Sequence, residues 1–296
     1  MDGRASAPAA GTVLNALASG KGSAFAIDAE TVAEVSLDDS GTVVGEVEGA
    51  PDADTTLVER CVELAVAEYA DSEALDRLGV DDADAAGGRV RTESEVPMAA
   101  GLKSSSAAAN ATVLAALDAL GVADSVPRED ACRLGVRAAR DAGVTITGAF
   151  DDASASMLGG VTVTDNTSDE LLAREEVSWD VVVWTPPETA YSADADVERC
   201  KRIAPIAELV ADLALDGRYA DAMTVNGFAF CAALGFSADP MVSALPDAAG
   251  VSLSGTGPSF VAVGDRDALE AVEHRWNELE GTTWTTTTRN DGGRTR

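Results

Sequence analysis

Pro97-Met98-Ala99-Ala100-Gly101-Leu102-Lys103-Ser104-Ser105-Ser106-Ala107-Ala108-Ala109 decides how the chain is read. A glycine turn runs into three consecutive hydroxyl residues, and these open a long alanine-rich segment that predicts a helix from about Ser104 to Leu120. The first amides of a helix have no partner within it, and its dipole places about half a positive charge there, so such a start is suited to holding an anion. Serine hydroxyls can donate to phosphate oxygens or bind magnesium, and small alanines let the helix start approach a neighbouring element. A serine cap on an ordinary helix would read the same way. The segment is not a Walker loop, because no G-x-x-x-x-G-K-[ST] run exists; in Gly20-Lys21-Gly22-Ser23 a glycine stands where the hydroxyl belongs. No dinucleotide fingerprint opens a helix either.

Two further segments bear on chemistry. Thr145-Ile146-Thr147-Gly148-Ala149-Phe150-Asp151-Asp152-Ala153-Ser154 places two adjacent carboxylates at a predicted short helix, Asp151–Leu158. They can cap the helix, or they can accept or orient the proton of an alcohol. Gly250-Val251-Ser252-Leu253-Ser254-Gly255-Thr256-Gly257-Pro258-Ser259 reads as strand, glycine turn, strand, which a tight hairpin explains without a ligand.

Around these segments the pattern mixes helices and strands in both halves, which predicts an α+β protein. Strands are expected at Thr31–Val35 and Thr42–Val47, as a hairpin region, and at Arg89–Ser94, Val161–Thr164, Val181–Trp184 and Thr282–Thr288. Helices are expected at Thr55–Tyr69 (with Asp54 as cap), Pro127–Ala142, Asp194–Leu215, Tyr219–Leu234 and Asp267–Leu279. Asp71–Gly88 reads as a loop holding a short helix. The acidic stretch Asp165–Glu176 is read as a linker, dividing the chain into domains 1–165 and 177–296.

Asp and Glu number 51 against 21 Lys and Arg, a formal net charge of −30, and the only lysines are Lys21, Lys103 and Lys201. This argues against nucleic acid or an anionic membrane as partner. It suits a salt-rich cytoplasm, where about 1 M salt shrinks the screening length to about 3 Å. The N-terminal ten residues are rich in Ala and carry no signal-like apolar run, and no stretch reaches the length of a membrane span. Cys61, Cys132, Cys200 and Cys231 are scattered and form no C-x-x-C pair, as buried thiols of a reducing compartment do. One histidine, His274, on a polar helix, excludes a multi-histidine metal site and a serine hydrolase triad.

Pro97–Ala108 resembles the phosphate-binding motif of the GHMP kinases, P-x-x-x-G-L-x-S-S-x-A, and the form Gly101-Leu102-Lys103-Ser104-Ser105-Ser106 is similar to that of archaeal shikimate kinases. Ala10–Asp28 resembles their start, while departing from the A-P-G-K pattern of mevalonate kinases, so no N-terminal catalytic lysine is evident; Lys21 reads as a loop residue. The resemblance implies the two-domain GHMP fold, with an N-terminal βαβ-type phosphate-binding domain and a C-terminal ferredoxin-like domain. It implies ATP bound by Pro97, Ala99, Ala100, Gly101, Leu102, Lys103, Ser104, Ser105, Ser106 and Ala107, with Gly255, Thr256 and Gly257 supporting the phosphates from the second domain. The family's catalytic aspartate falls on Asp151 or Asp152, and its Mg2+ ligands fall on Ser105 and Asp141. The implied reaction phosphorylates the shikimate 3-hydroxyl, in the chorismate route, by a monomer or homodimer. A kinase for another alcohol such as homoserine, a diphosphomevalonate decarboxylase and a non-catalytic sensor remain alternatives. Arg137 and Arg140 are candidates for the substrate carboxylate, as residues near Asp141.

Overall fold

The computed structural model describes residues 1–96, 100–145, 149–187 and 195–296. Two strands carry most of the first sheet: β1 (Asp2–Leu14) and the 18-residue β2 (Lys21–Asp38), antiparallel along their length. The far end of β2 pairs with β4 (Gly87–Ser94), and its near end, residues 21–25, pairs with β5 (Val161–Asp165). β3 (Val43–Val47) is an edge strand lying parallel to β4. The hairpin expected between β2 and β3 is therefore not formed. β4 takes the place beside β2, and α1 (Thr56–Tyr69) and α2 (Ser72–Leu78) intervene before it as a crossover. Asp54 does serve the start of α1, accepting from the amide and hydroxyl of Thr56.

The stretch read as a linker contains β6 (Glu170–Glu175), antiparallel to β5. Its charged side chains point to solvent on an edge strand, so its composition imitates a linker while its backbone is paired. At the other margin β11 (Arg294–Thr295) pairs with β1, so the last residues of the chain return to the first sheet. Asp2–Ala10 is likewise strand: small residues such as Ala5 and Ala7 are fully buried in the core that contains α3 (Ser104–Leu120). The approach is close enough that a Cβ on Gly3 would stand 2.1 Å from the Ala115 carbonyl oxygen. α3 is apolar almost all round, as a helix enclosed by its neighbours must be. With α1, α4 (Arg128–Asp141) and α5 (Phe150–Leu158) it forms one core over the sheet.

The second sheet has the order β10-β7-β9-β8, from β10 (Thr282–Thr287), β7 (Asp180–Thr185), β9 (Phe260–Gly264) and β8 (Gly250–Leu253). α6 (Val197–Lys201), α7 (Ala204–Leu215), α8 (Tyr219–Leu234), α9 (Asp239–Ala244) and α10 (Arg266–Trp276) accompany it. The single helix expected over 194–215 is divided at Arg202–Ile203, with Pro205 restarting it in the first turn of α7, where its missing N–H costs nothing. One continuous apolar cluster joins Leu14, Phe25 and Ile27 of the first sheet to Val181, Val182 and Val183 of the second. The Phe25 and Trp179 rings meet edge to face, 5.7 Å apart. All four cysteines are buried free thiols, and His274 is on the surface of α10.

Candidate active site

The start of α3 is built for an anion. Gly101 (φ 77°) and Lys103 (φ 64°) are both left-handed, so the chain turns sharply into the helix. A Cβ on Gly101 would stand 2.4 Å from the Ser254 carbonyl oxygen, so only glycine fits there. No side chain caps α3, and its first turn holds no acid, whereas α1, α4, α5, α8 and α10 each carry one or two. In a chain with 51 acidic residues this leaves the Ser104–Ser106 amides and the positive end of the dipole uncompensated. The Ser105 hydroxyl side is exposed, Ser104 is half-buried and Ser106 is buried.

The acidic pair stands beside this helix start. Ala149 (φ 50°) sets the turn into α5. Asp151 is only 4% exposed, and Asn166, in the turn after β5, holds it twice: Nδ2 donates to Asp151 Oδ1 at 2.7 Å, and Oδ1 accepts from the Asp151 amide at 3.1 Å. Gly22 of β2 lies against the same carboxylate; a Cβ there would stand 2.4 Å from Oδ2. Asp152 meets Lys103, Nζ to Oδ1 at 2.9 Å, with both side chains largely enclosed. That contact lies off the hydrogen-bonding direction, so Oδ1 keeps acceptor capacity. Burial first, and the neighbouring Asp152 second, raise the Asp151 carboxyl to about 7, while Lys103 and the Asn166 hydrogen bond pull it back. A carboxyl so placed exchanges protons near neutrality.

The glycine turn after β8 closes over both. Ser254 Oγ donates to the Gly101 carbonyl at 2.8 Å, and a Cβ on Gly255 would be 2.8 Å from Lys103 Nζ. Gly255 is itself tied to the end of β1: its amide donates to Thr12 Oγ1 and its carbonyl accepts from Asn15 Nδ2, each at 2.8 Å. Asn226 of α8 accepts from the Asn15 amide and donates to Ser252 Oγ, completing a buried network. Gly257 (φ 84°) packs on Phe236, and Thr256 is half-buried.

The structure thus brings together Gly101, Leu102, Lys103, the Ser104–Ser106 helix start, Asp151, Asp152, Gly255 and Gly257. Ala100, Leu102 and Ala107 are buried supports, and the Leu102 carbonyl accepts from the Ala10 amide. Pro97 and Ala99 lie outside the described residues. Asp141 ends α4 on a surface cavity of about 410 Å³ and is held by Arg60 Nε at 2.8 Å, so binding a metal there requires exchange of that guanidinium for the cation. Arg137 and Arg140 are engaged by Glu68 and Asp169, and Lys21 by Glu208. Among the described residues no three acidic, histidine or cysteine side chains converge as a metal cluster. Sequence reading missed Gly22, Thr12, Asn15, Asn166 and Asn226; the glycine between Lys21 and Ser23 in a strand was the one local signal, since such a glycine marks a close approach.

Residues 57–160 match the family model described as GHMP kinases N terminal domain. The shikimate kinase of Halobacterium salinarum is 66% identical over all of both chains, and that of Methanococcoides burtonii is 49% identical over 98% of this chain and 97% of the relative. Among solved structures, homoserine kinase from Cytophaga hutchinsonii superposes with a TM-score of 0.71 over 100% of this chain and 97% of that one, at 17% identity, a likeness of fold alone. A glycine turn, a serine-lined helix start and a lysine-bridged acidic pair on this fold, with full-length identity at that level, place the chain in the archaeal shikimate kinase family of the GHMP kinases.

Proposed function

We propose that the chain transfers the γ-phosphoryl group of ATP to the 3-hydroxyl of shikimate, releasing ADP and shikimate 3-phosphate for the chorismate route. The observation that carries the chemistry is the Lys103–Asp152 ion pair, which joins the anion-receiving end of α3 to the acidic pair under one glycine loop. The acceptor rests on the full-length likeness to shikimate kinases.

The ATP polyphosphate lies on the Ser104–Ser106 amides, steadied by the Gly255–Gly257 turn, between the part built on the first sheet and the part built on the second. The acceptor oxygen attacks the γ-phosphorus, the bond to the β,γ-bridging oxygen breaks, and the hydroxyl proton passes to the acidic pair. Asp151 is the acceptor of that proton, because its buried carboxyl exchanges near neutrality, and Lys103 pairs with Asp152 at the start of α3. Phosphoryl transfer asks mainly for positioning and charge compensation, which these groups supply. Magnesium would supply charge neutralisation at the phosphates; it needs only one or two protein oxygens, of which the exposed Ser105 hydroxyl would be one, and Asp141 would serve only after release from Arg60. Among the described residues no helix is long and apolar enough to cross a membrane. A cytoplasmic enzyme acting as monomer or homodimer, with no nucleic-acid partner, fits the charge of −30.

The test is an ADP-release assay in molar KCl with shikimate, homoserine and no acceptor. Turnover with shikimate alone is expected. Turnover with homoserine and none with shikimate rejects the acceptor, and ATP binding with no turnover on either rejects the kinase reading.

A further inference from the structure

We infer that Asn166 is a positioning residue for the transfer: its side-chain amide bridges the backbone and the carboxylate of Asp151 and sets the direction in which that carboxylate takes a proton. The inference rests on the reading of Asp151 as proton acceptor.

Asn166 is 4% exposed and follows β5 directly. Its own amide donates to the Gly20 carbonyl at 2.9 Å, which anchors the turn to the chain entering β2. Its side-chain oxygen accepts twice, from the Asp151 amide at 3.1 Å and from Thr164 Oγ1 at 2.7 Å, and its nitrogen donates to Asp151 Oδ1 at 2.7 Å. The reversed orientation would aim an NH2 at an N–H donor and an oxygen at a carboxylate, so the network admits only this one. Four hydrogen bonds are spent on one residue, and two of them join it to Asp151, one at the backbone amide and one at the carboxylate that faces Gly22 on its other side. A helix start needs no such clamp, since an aspartate there ordinarily accepts from its own helix amides.

Few charges face Asp151. From the start of α3 comes Lys103, from α5 comes Asp152, and β2 presents only Gly22. Lys21 on β2 is turned to Glu208, and Asp165 is taken by the amide and hydroxyl of Thr167. Among the described residues the Asn166 donor is therefore the one neutral group that favours the charged carboxylate from outside its own helix.

Asn166→Asp is the discriminating variant. It keeps the shape and the acceptor oxygen, and it replaces the donor that meets Asp151 by a second carboxyl oxygen, which adds like-charge repulsion to the lost hydrogen bond. The acid limb of the kcat/KM profile for shikimate should move up by at least about one to two pH units, as loss of a hydrogen bond to a charged group implies, with the added carboxylate pushing the same way. At pH 7 kcat should fall by about 10- to 100-fold, with partial recovery at pH 9 and no change in the KM for ATP. Asn166→Ala and Thr164→Val should move the limb in the same direction by less, and they carry the test if Asn166→Asp does not fold. An acid limb unmoved in folded Asn166→Ala, which removes the donor without adding a charge, overturns the inference. Asp151→Asn separates the two readings: if it retains turnover, the assignment of Asp151 has failed; if it is inactive while the limb is unmoved in the Asn166 variants, only the clamp has failed.

Discussion

Gly22→Ala is the smallest change that should disable this site while leaving nucleotide binding intact. The added methyl would stand 2.4 Å from Asp151 Oδ2 and 2.5 Å from its Cβ and Cγ. Non-bonded carbon and oxygen atoms settle near 3.5 Å, so about 1 Å of separation must be found. β2 cannot supply it, because Gly22 pairs with Thr164 on one side and its strand is fixed along β1 on the other. The carboxylate must retreat instead, against the bond that Asn166 donates to it. A reacting group displaced by about 1 Å costs about 100-fold in rate, and overpacking of this kind costs about 1–3 kcal/mol in stability. The assay is ADP release at saturating ATP and shikimate in molar KCl, beside a thermal melt. The expected result is kcat down by about 100-fold, a lowered but cooperative melt and an unchanged KM for ATP. A folded variant with kcat within about threefold of the parent would refute the placement of Asp151 at the reacting centre.

Lys103→Met leaves Asp152 enclosed without its cation; it should cost about 3–5 kcal/mol in stability by denaturant melt and raise the acid limb of the rate profile, because Lys103 holds the Asp151 carboxyl down. Ser105→Ala should raise the magnesium concentration needed for half-maximal rate by about tenfold, roughly one oxygen ligand's worth, in a metal titration. Asp151→Asn should be inactive yet more heat-stable at pH 8. The folded carboxyl titrates above its unfolded value, so its share of stability is complete below about pH 4 and is lost as pH rises through about 7. The advantage of the asparagine should therefore shrink as melts are taken at lower pH. Transfer from 2 M to 0.1 M KCl should lower the melting temperature, as a net charge of −30 loses its screening.

Local signals in the sequence carried the helices well. α3 begins and ends where its serines and Gly121 place it, and α8 likewise runs from Tyr219 to Leu234. Strands were harder for stated reasons. β1 is made of alanines and glycines that serve close packing under α3 and show no alternation, and β6 is an edge strand with a linker's composition. The pairing of β3 with β4 instead of β2 depends on contacts across the intervening α1 and α2, which no window of sequence contains. The same holds at the site. Gly101, Lys103, Asp151 and Gly255 stood out as motifs, but the ion pair between Lys103 and Asp152 spans 49 positions, and the bond from Asn15 to Gly255 spans 240. Asn166 was invisible because Asp165-Asn166-Thr167 reads as any polar turn.

The acid-free first turn of α3 has a kinetic side. ATP and shikimate are both anions, and the net charge of −30 repels them at long range, while this helix start adds no acid of its own. Dissolved ions weaken that long-range repulsion, yet they leave short hydrogen bonds from enclosed amides nearly untouched. Encounter between this enzyme and its nucleotide should thus quicken as salt is added, the reverse of the usual behaviour of a nucleotide-binding protein that attracts its ligand by charge. Brine, on this account, opens the door to the site as well as holding the fold.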